Sequence, residues 1–163
     1  MGYDKDYLVK VFAKRTRENL DFIETEKPEF EITQLLNSCL GLLVFPRKVC
    51  LKNFPNTPLR AEEWSVSFVD KGFQQPENIQ QLVKHLRNGI AHCYLKLFRD
   101  DKNEIESLCV WDECPNCHEK KWQVTWSIPD FRKFVIKFAD KLIDGSYCSQ
   151  CRGCSKQFQS ESE

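Results

Sequence analysis

The stretch Leu86-Arg87-Asn88-Gly89-Ile90-Ala91-His92 sets an arginine five positions before a histidine. Histidine can take or give a proton near neutral pH. Arginine stays charged and can grip phosphate oxygens with a two-pronged fork, stabilising the charge that develops there. An RNA 2′-hydroxyl attacking its neighbouring phosphate needs those two services and no metal. The spacing alone arises often by chance, and a helical histidine is more often structural or merely solvated. Two further features favour chemistry. Residues 78–99 hold Lys84, Arg87, Lys96 and Arg99 without a single acid, a candidate RNA-binding face in a chain whose 24 basic residues balance 24 acidic ones. A solvated basic face is the plainer alternative. On a helical wheel His85, Asn88 and His92 also fall opposite the apolar stripe, so neither histidine reads as a core residue.

Cysteines make a second, separate signal. Cys114-x2-Cys117 and Cys148-x2-Cys151 are two thiolate pairs separated by thirty residues (118–147). Two such pairs can complete a tetrahedral structural zinc site, with Cys154 as an alternative fourth ligand and His118 a weaker one. Four sulfurs leave no open position for catalysis. A redox dithiol is the weaker reading, because the first pair falls in a hairpin loop without the strand-then-helix setting that activates a thiol. Cys39, Cys50, Cys93 and Cys109 read as small apolar residues.

The elements that must carry these groups follow from periodicity. At 163 residues, 41% hydrophobic and 29% charged, the chain suits one compact domain over 1–145 with a cysteine-bearing tail over 146–163. A balanced charge argues against coating nucleic acid by bulk electrostatics. No apolar signal-peptide core opens the sequence and the longest apolar run, Leu35 to Phe45, is too short to span a bilayer, so a cytoplasmic protein is expected. Helical spacing predicts a first helix over 4–25, and a second from about Glu29 to Phe45 whose apolar surround makes it the buried centre of a bundle. Residues 49–75 read as a long irregular connection pinned by aromatics. A third helix is expected from Pro76 to about Phe98, with Ile79, Leu82, Val83, Leu86, Ile90, Cys93 and Leu97 on its core stripe. A hairpin over 104–128 and a last helix capped by Ser127 or Asp130 and ended by Gly145 complete the order. The tail would dock on the hairpin loop, 113–118.

The geometry contains one tension. Five residues turn a regular helix by 500°, so Arg87 and His92 point about 140° apart. Either the helix distorts at Gly89, or Arg87 reaches around, or two chains supply the two roles across a symmetric interface. Ala91 and Leu95 near the outer side favour cover by a second subunit.

The motif, with Asn88 directly after the arginine, resembles the Arg-x4–6-His signature of the HEPN superfamily (higher eukaryotes and prokaryotes nucleotide-binding). The second helix, from Glu31-Ile32-Thr33-Gln34-Leu35-Leu36 to Val44-Phe45-Pro46, is similar to a small stand-alone branch found in prokaryotes and on plasmids. The resemblance covers roughly 5–143. It implies a mainly α, up-and-down bundle that forms a homodimer, and a metal-independent endoribonuclease of a toxin–antitoxin or anti-phage setting, with an antitoxin or other defence protein as a partner. It also implies Arg87 and His92 as the catalytic pair, with Asn88 contacting or positioning RNA. His85 has no counterpart in the resemblance, and Asn37 is the nearest guess for a polar helper. The competing function is a non-catalytic module that holds RNA, a nucleotide or a protein on the same face.

Overall fold

The computed structural model describes residues 5–27, 31–44, 54, 58–59, 64 and 70–145, with the side chains of Lys5 and Asp6 left aside. Along them run α1 (Lys5–Glu26), α2 (Glu31–Val44), α3 (Ile79–Ala91), β1 (Leu95–Arg99), β2 (Ile105–Glu113), β3 (Lys120–Ser127) and α4 (Ile128–Asp144). The fold is mainly helical, with a three-stranded antiparallel sheet in the order β1-β2-β3. Helices α1, α2 and α4 follow their predicted spans closely.

Helix α2 buries Leu35, Ser38, Cys39, Leu42 and Leu43, and packs against α1, α3 and α4, as its apolar surround predicts. Burial pushes the Cys39 thiol far up, consistent with an inert apolar filler. Helix α4 is capped by Ser127, whose hydroxyl accepts from the Asp130 N–H, and ends at Gly145 in the left-handed conformation. The irregular connection is fastened where its described aromatics show it: Phe54 stacks on Phe138 at 5.6 Å, and Trp64 meets Phe134 and Phe138 at 6.0 and 6.5 Å. Phe68 lies outside the described residues.

The expected hairpin is present as β2 and β3, and alternation sets their faces. Leu108, Val110 and Asp112 pair with Trp126, Val124 and Trp122, and all six are buried. Five are apolar core. The sixth, Asp112, is a carboxylate on the inward register.

The third helix departs from its expected limits at both ends. It begins at Ile79 rather than Pro76, because Asn78 takes the cap and accepts from the Gln81 N–H. It stops at Ala91 rather than Phe98. Tyr94 N–H donates to Gly89 O at 2.7 Å and Cys93 N–H to Ile90 O at 3.1 Å, the paired bonds of a Schellman stop with Cys93 left-handed at φ 57°. Residues 95–99 then turn to strand and pair with β2 from Leu95↔Val110 to Arg99↔Ile105. Leu97 and Leu95 therefore pack against the core from a strand, and Cys93 is exposed rather than on a core stripe. A non-glycine residue in that left-handed position carries a strain of roughly 1 kcal/mol. Cys93→Gly is expected to stabilise the fold by about 0.5–1 kcal/mol, read as a higher denaturant midpoint; an unchanged or lower midpoint would mean that the turn gains from the cysteine side chain.

Candidate functional site

Helix α3 brings its polar side chains to the sheet through one close contact. A Cβ on Gly89 would sit 2.6 Å from Trp111 O and 2.6 Å from Val110 Cγ1, so α3 crosses β2 at a distance only glycine allows. Past the Schellman turn, Trp111 N–H donates to Tyr94 O, which ties the end of α3 to the same strand. The buried stripe of Ile79, Leu82, Val83, Leu86 and Ile90 faces the core as predicted.

On the other side of α3 a polar network converges on Asp112. His85 Nδ1 lies 2.8 Å from Asp112 Oδ2, and Asn88 Nδ2 donates to the same oxygen at a longer 3.4 Å. An Arg87 guanidinium nitrogen donates to Asn88 Oδ1, also at 3.4 Å. The ring of His85 stacks on Trp122 with centroids 5.2 Å apart and planes 13° from parallel. A buried carboxylate needs such donors, because an unpaired charge in the interior is costly. The sequence offers the motif no clear acidic partner, and Asn37, the guess for a polar helper, is exposed on α2. The partner is Asp112. Its signal was the alternation itself, which puts an acid where a core residue belongs.

His92 is the C-cap of α3 and is exposed, whereas Arg87 and Asn88 are half-buried. The bond from His92 N–H to Asn88 O shows the helix unbroken through Gly89, so the distortion considered there does not occur. No hydrogen bond joins Arg87 to His92 among the described residues. Instead His92 meets the Tyr94 ring at 5.7 Å, and Tyr94 stacks on Trp111 at 6.0 Å, with Lys120 Nζ 4.5 Å over the Trp111 ring. Tyr94 and Trp111 were not singled out from the sequence, because the expected helix ran through Tyr94.

The acid-free run is likewise divided. Lys84 is exposed on α3, but Lys96 and Arg99 are exposed on β1, so the four cations do not share one helix face. Lys96 Nζ lies 4.8 Å over Phe98, and Arg99 donates to Asn103.

With the motif on an accessible helix end above a buried carboxylate, comparison with known families decides the kinship. A family model described as HEPN pEK499 p136 matches residues 1–146. The chain belongs to this HEPN family. No curated protein and no solved structure matches it. The family carries a nucleotide- or RNA-related function, often ribonuclease. The HEPN chain is mainly helical, as expected, with one more strand than the predicted hairpin. Among the described residues no helix is long and apolar enough to cross a membrane.

The hairpin loop holds the described half of the cysteine set. His118 N–H donates to Cys114 O and Cys114 N–H to Glu119 O, with His118 left-handed at φ 58°. This turn aims the backbone N–H groups of Cys117 and Asn116 at the Cys114 sulfur, which lowers its pKa to about 7. The Cys117 thiol is raised: a backbone bond from Glu119 pulls it down, but its hydrogen bond to Cys114, desolvation and negative neighbours outweigh that. His118 is held by Glu113 at 2.9 Å. Among the described residues no group of three or more His, Cys, Asp or Glu side chains is set to hold a metal. Cys148, Cys151 and Cys154 lie outside the described residues, as does Cys50.

Proposed function

We propose that this HEPN protein is a metal-independent endoribonuclease that acts in the cytoplasm as a homodimer, within a toxin–antitoxin or anti-phage system that supplies a neutralising partner. Arg87 stabilises the phosphate charge, His92 transfers a proton, and Asn88 links Arg87 to the Asp112 network while contacting RNA. Lys84 on α3 and Lys96 and Arg99 on β1 extend the cationic surface to either side. The observation that carries the reading is the HEPN membership together with Arg87, Asn88 and His92 at the accessible end of α3. Because α3 is regular between them, Arg87 and His92 serve one phosphate through a second chain or through the reach of the arginine.

The test is cleavage of single-stranded and structured RNA by the purified protein, with a chelator present. Products ending in 2′,3′-cyclic phosphate and 5′-hydroxyl are expected, because the 2′-oxygen is the nucleophile. A dimer that cuts none of the RNA offered would sink the reading. Binding without turnover would favour the alternative of a non-catalytic RNA- or nucleotide-binding module.

The cysteine turn supports a structural zinc held by Cys114 and Cys117 with Cys148 and Cys151, or with Cys154 in place of the last. Backbone N–H groups directed at a thiolate are what a zinc-bound sulfur uses for its remaining lone pairs. Elemental analysis should find about one zinc per chain, falling to near zero in Cys114→Ser; a metal-free wild type would end the zinc proposal. Cleavage itself assigns no step to that metal.

A further inference from the structure

The Arg87–His92 pair leaves His85 unused, yet His85 has the most defined surroundings of the histidines on α3. Its Nδ1 faces a carboxylate at 2.8 Å. That carboxylate, Asp112, is 7% exposed and comes from the inward register of β2. An ionised carboxylate only accepts, so Nδ1 is the donor in this contact, and in the neutral ring the lone pair then lies on Nε2. Nε2 has no hydrogen-bond partner among the described residues, and the His85 side chain keeps 23% of its surface exposed. The Trp122 indole fixes the plane of the ring. A staple between α3 and the sheet would need a donor to Asp112, but not a basic nitrogen held open on the far side of an oriented ring. Seven positions separate His85 from His92, nearly two full turns, so both rise from one face of α3 about 10 Å apart along its axis.

We infer that His85 is a second catalytic residue of the RNA-cleavage site, with Asp112 as its positioning residue; this rests on the ribonuclease reading above. Cleavage needs two proton transfers. The 2′-hydroxyl proton must leave as the 2′-oxygen bonds to phosphorus, and the 5′-oxygen must gain a proton as the P–O5′ bond breaks. His85 Nε2 takes the first proton, and His92, as imidazolium, gives the second. No electron acceptor and no added reactant are required, and solvent returns both rings to their starting forms.

The experiment measures single-turnover cleavage by His85→Ala, Asp112→Asn and wild type, with thermal melts and dimer mass beside it. His85→Ala is expected to lose about 10²-fold or more in kcat with little change in KM, and added imidazole should recover part of the loss. Asp112→Asn should lose less, and should shift the His85 ring nitrogens in 15N spectra away from the Nδ1–H tautomer. If His85→Ala fails to fold, His85→Asn retains a donor to Asp112 and takes its place. A folded His85 variant that cuts at the wild-type kcat while His92→Ala is inactive overturns the inference alone. So does a loss that imidazole does not touch and that follows the unfolded fraction. If Arg87→Ala and His92→Ala also cut at full rate, the ribonuclease reading fails and takes the inference with it.

Discussion

His92→Ala is expected to slow RNA cleavage by about 10²- to 10⁴-fold, the range over which a positioned proton donor or acceptor acts. Arg87→Ala should cost about 10²- to 10³-fold, as for one lost charge-stabilising donor. Arg87→Lys should recover only part of that, since a point charge does not reproduce a fork. His92 is exposed and Arg87 makes one long hydrogen bond, to Asn88. Both variants should therefore fold with stability within about 0.5 kcal/mol of wild type. Lost rate can then be assigned to the site.

Mixing the two inactive chains extends the test to the geometry. On the regular α3 the two side chains point apart, so a site with its arginine from one chain and its histidine from the other is the arrangement to examine. In a dimer of one Arg87→Ala chain and one His92→Ala chain, such a division leaves one of two sites complete. Activity of about half the wild-type value per dimer is expected for that dimer, because one of two symmetric sites survives. If each chain used its own pair, both sites would be broken and the mixture would stay inactive. Full silence in the mixture would return the problem to the reach of Arg87 within one chain.

Much of this molecule was legible in the sequence, and the misses have physical reasons. Helices α1, α2 and α4 announced themselves by apolar period, by Pro28 and Pro46 between and after the first two, and by Ser127 and Gly145 around the last. The third helix was overextended because Cys93 and Leu97 happen to continue its stripe at helical spacing. What ends it is a left-handed residue at Cys93, a conformation more typical of glycine or asparagine, followed by a strand that exists because β2 offers an edge. Alternation over 95–99 was present but short, where helix and strand patterns are hard to separate. Arg87, Asn88 and His92 stand out in the sequence as candidates by type and spacing. Asp112 was not, since its meaning depends on His85 and Asn88, distant in sequence, arriving beside it only after α3 packs on the sheet.

Gly89→Ala should show how closely the site depends on that packing. Taken alone, alanine in a helix interior is favoured over glycine by about 1 kcal/mol. Here the new methyl would lie 2.6 Å from a backbone oxygen of β2, and a strand paired on both sides has little freedom to yield. Overpacking against a rigid neighbour costs typically ~1–3 kcal/mol and occasionally more. A net loss of about 1–2 kcal/mol is therefore expected despite the gain in propensity, which for a domain of this size lowers Tm by roughly 2–8 °C. Gly41 provides the contrast. A methyl there would meet the Phe12 ring tip at 2.8 Å, a side chain that can rotate aside, so Gly41→Ala should be the milder change. The two effects can be ranked by urea titration of both variants. Gly89→Ala should also depress cleavage beyond its unfolded fraction, because moving α3 away from β2 lengthens the His85–Asp112 contact and displaces the capped end that carries His92. A Gly89→Ala protein as stable and as active as wild type would mean that α3 does not rest on β2 at Trp111, and the shared support for His85, Asn88 and His92 would have to be sought elsewhere.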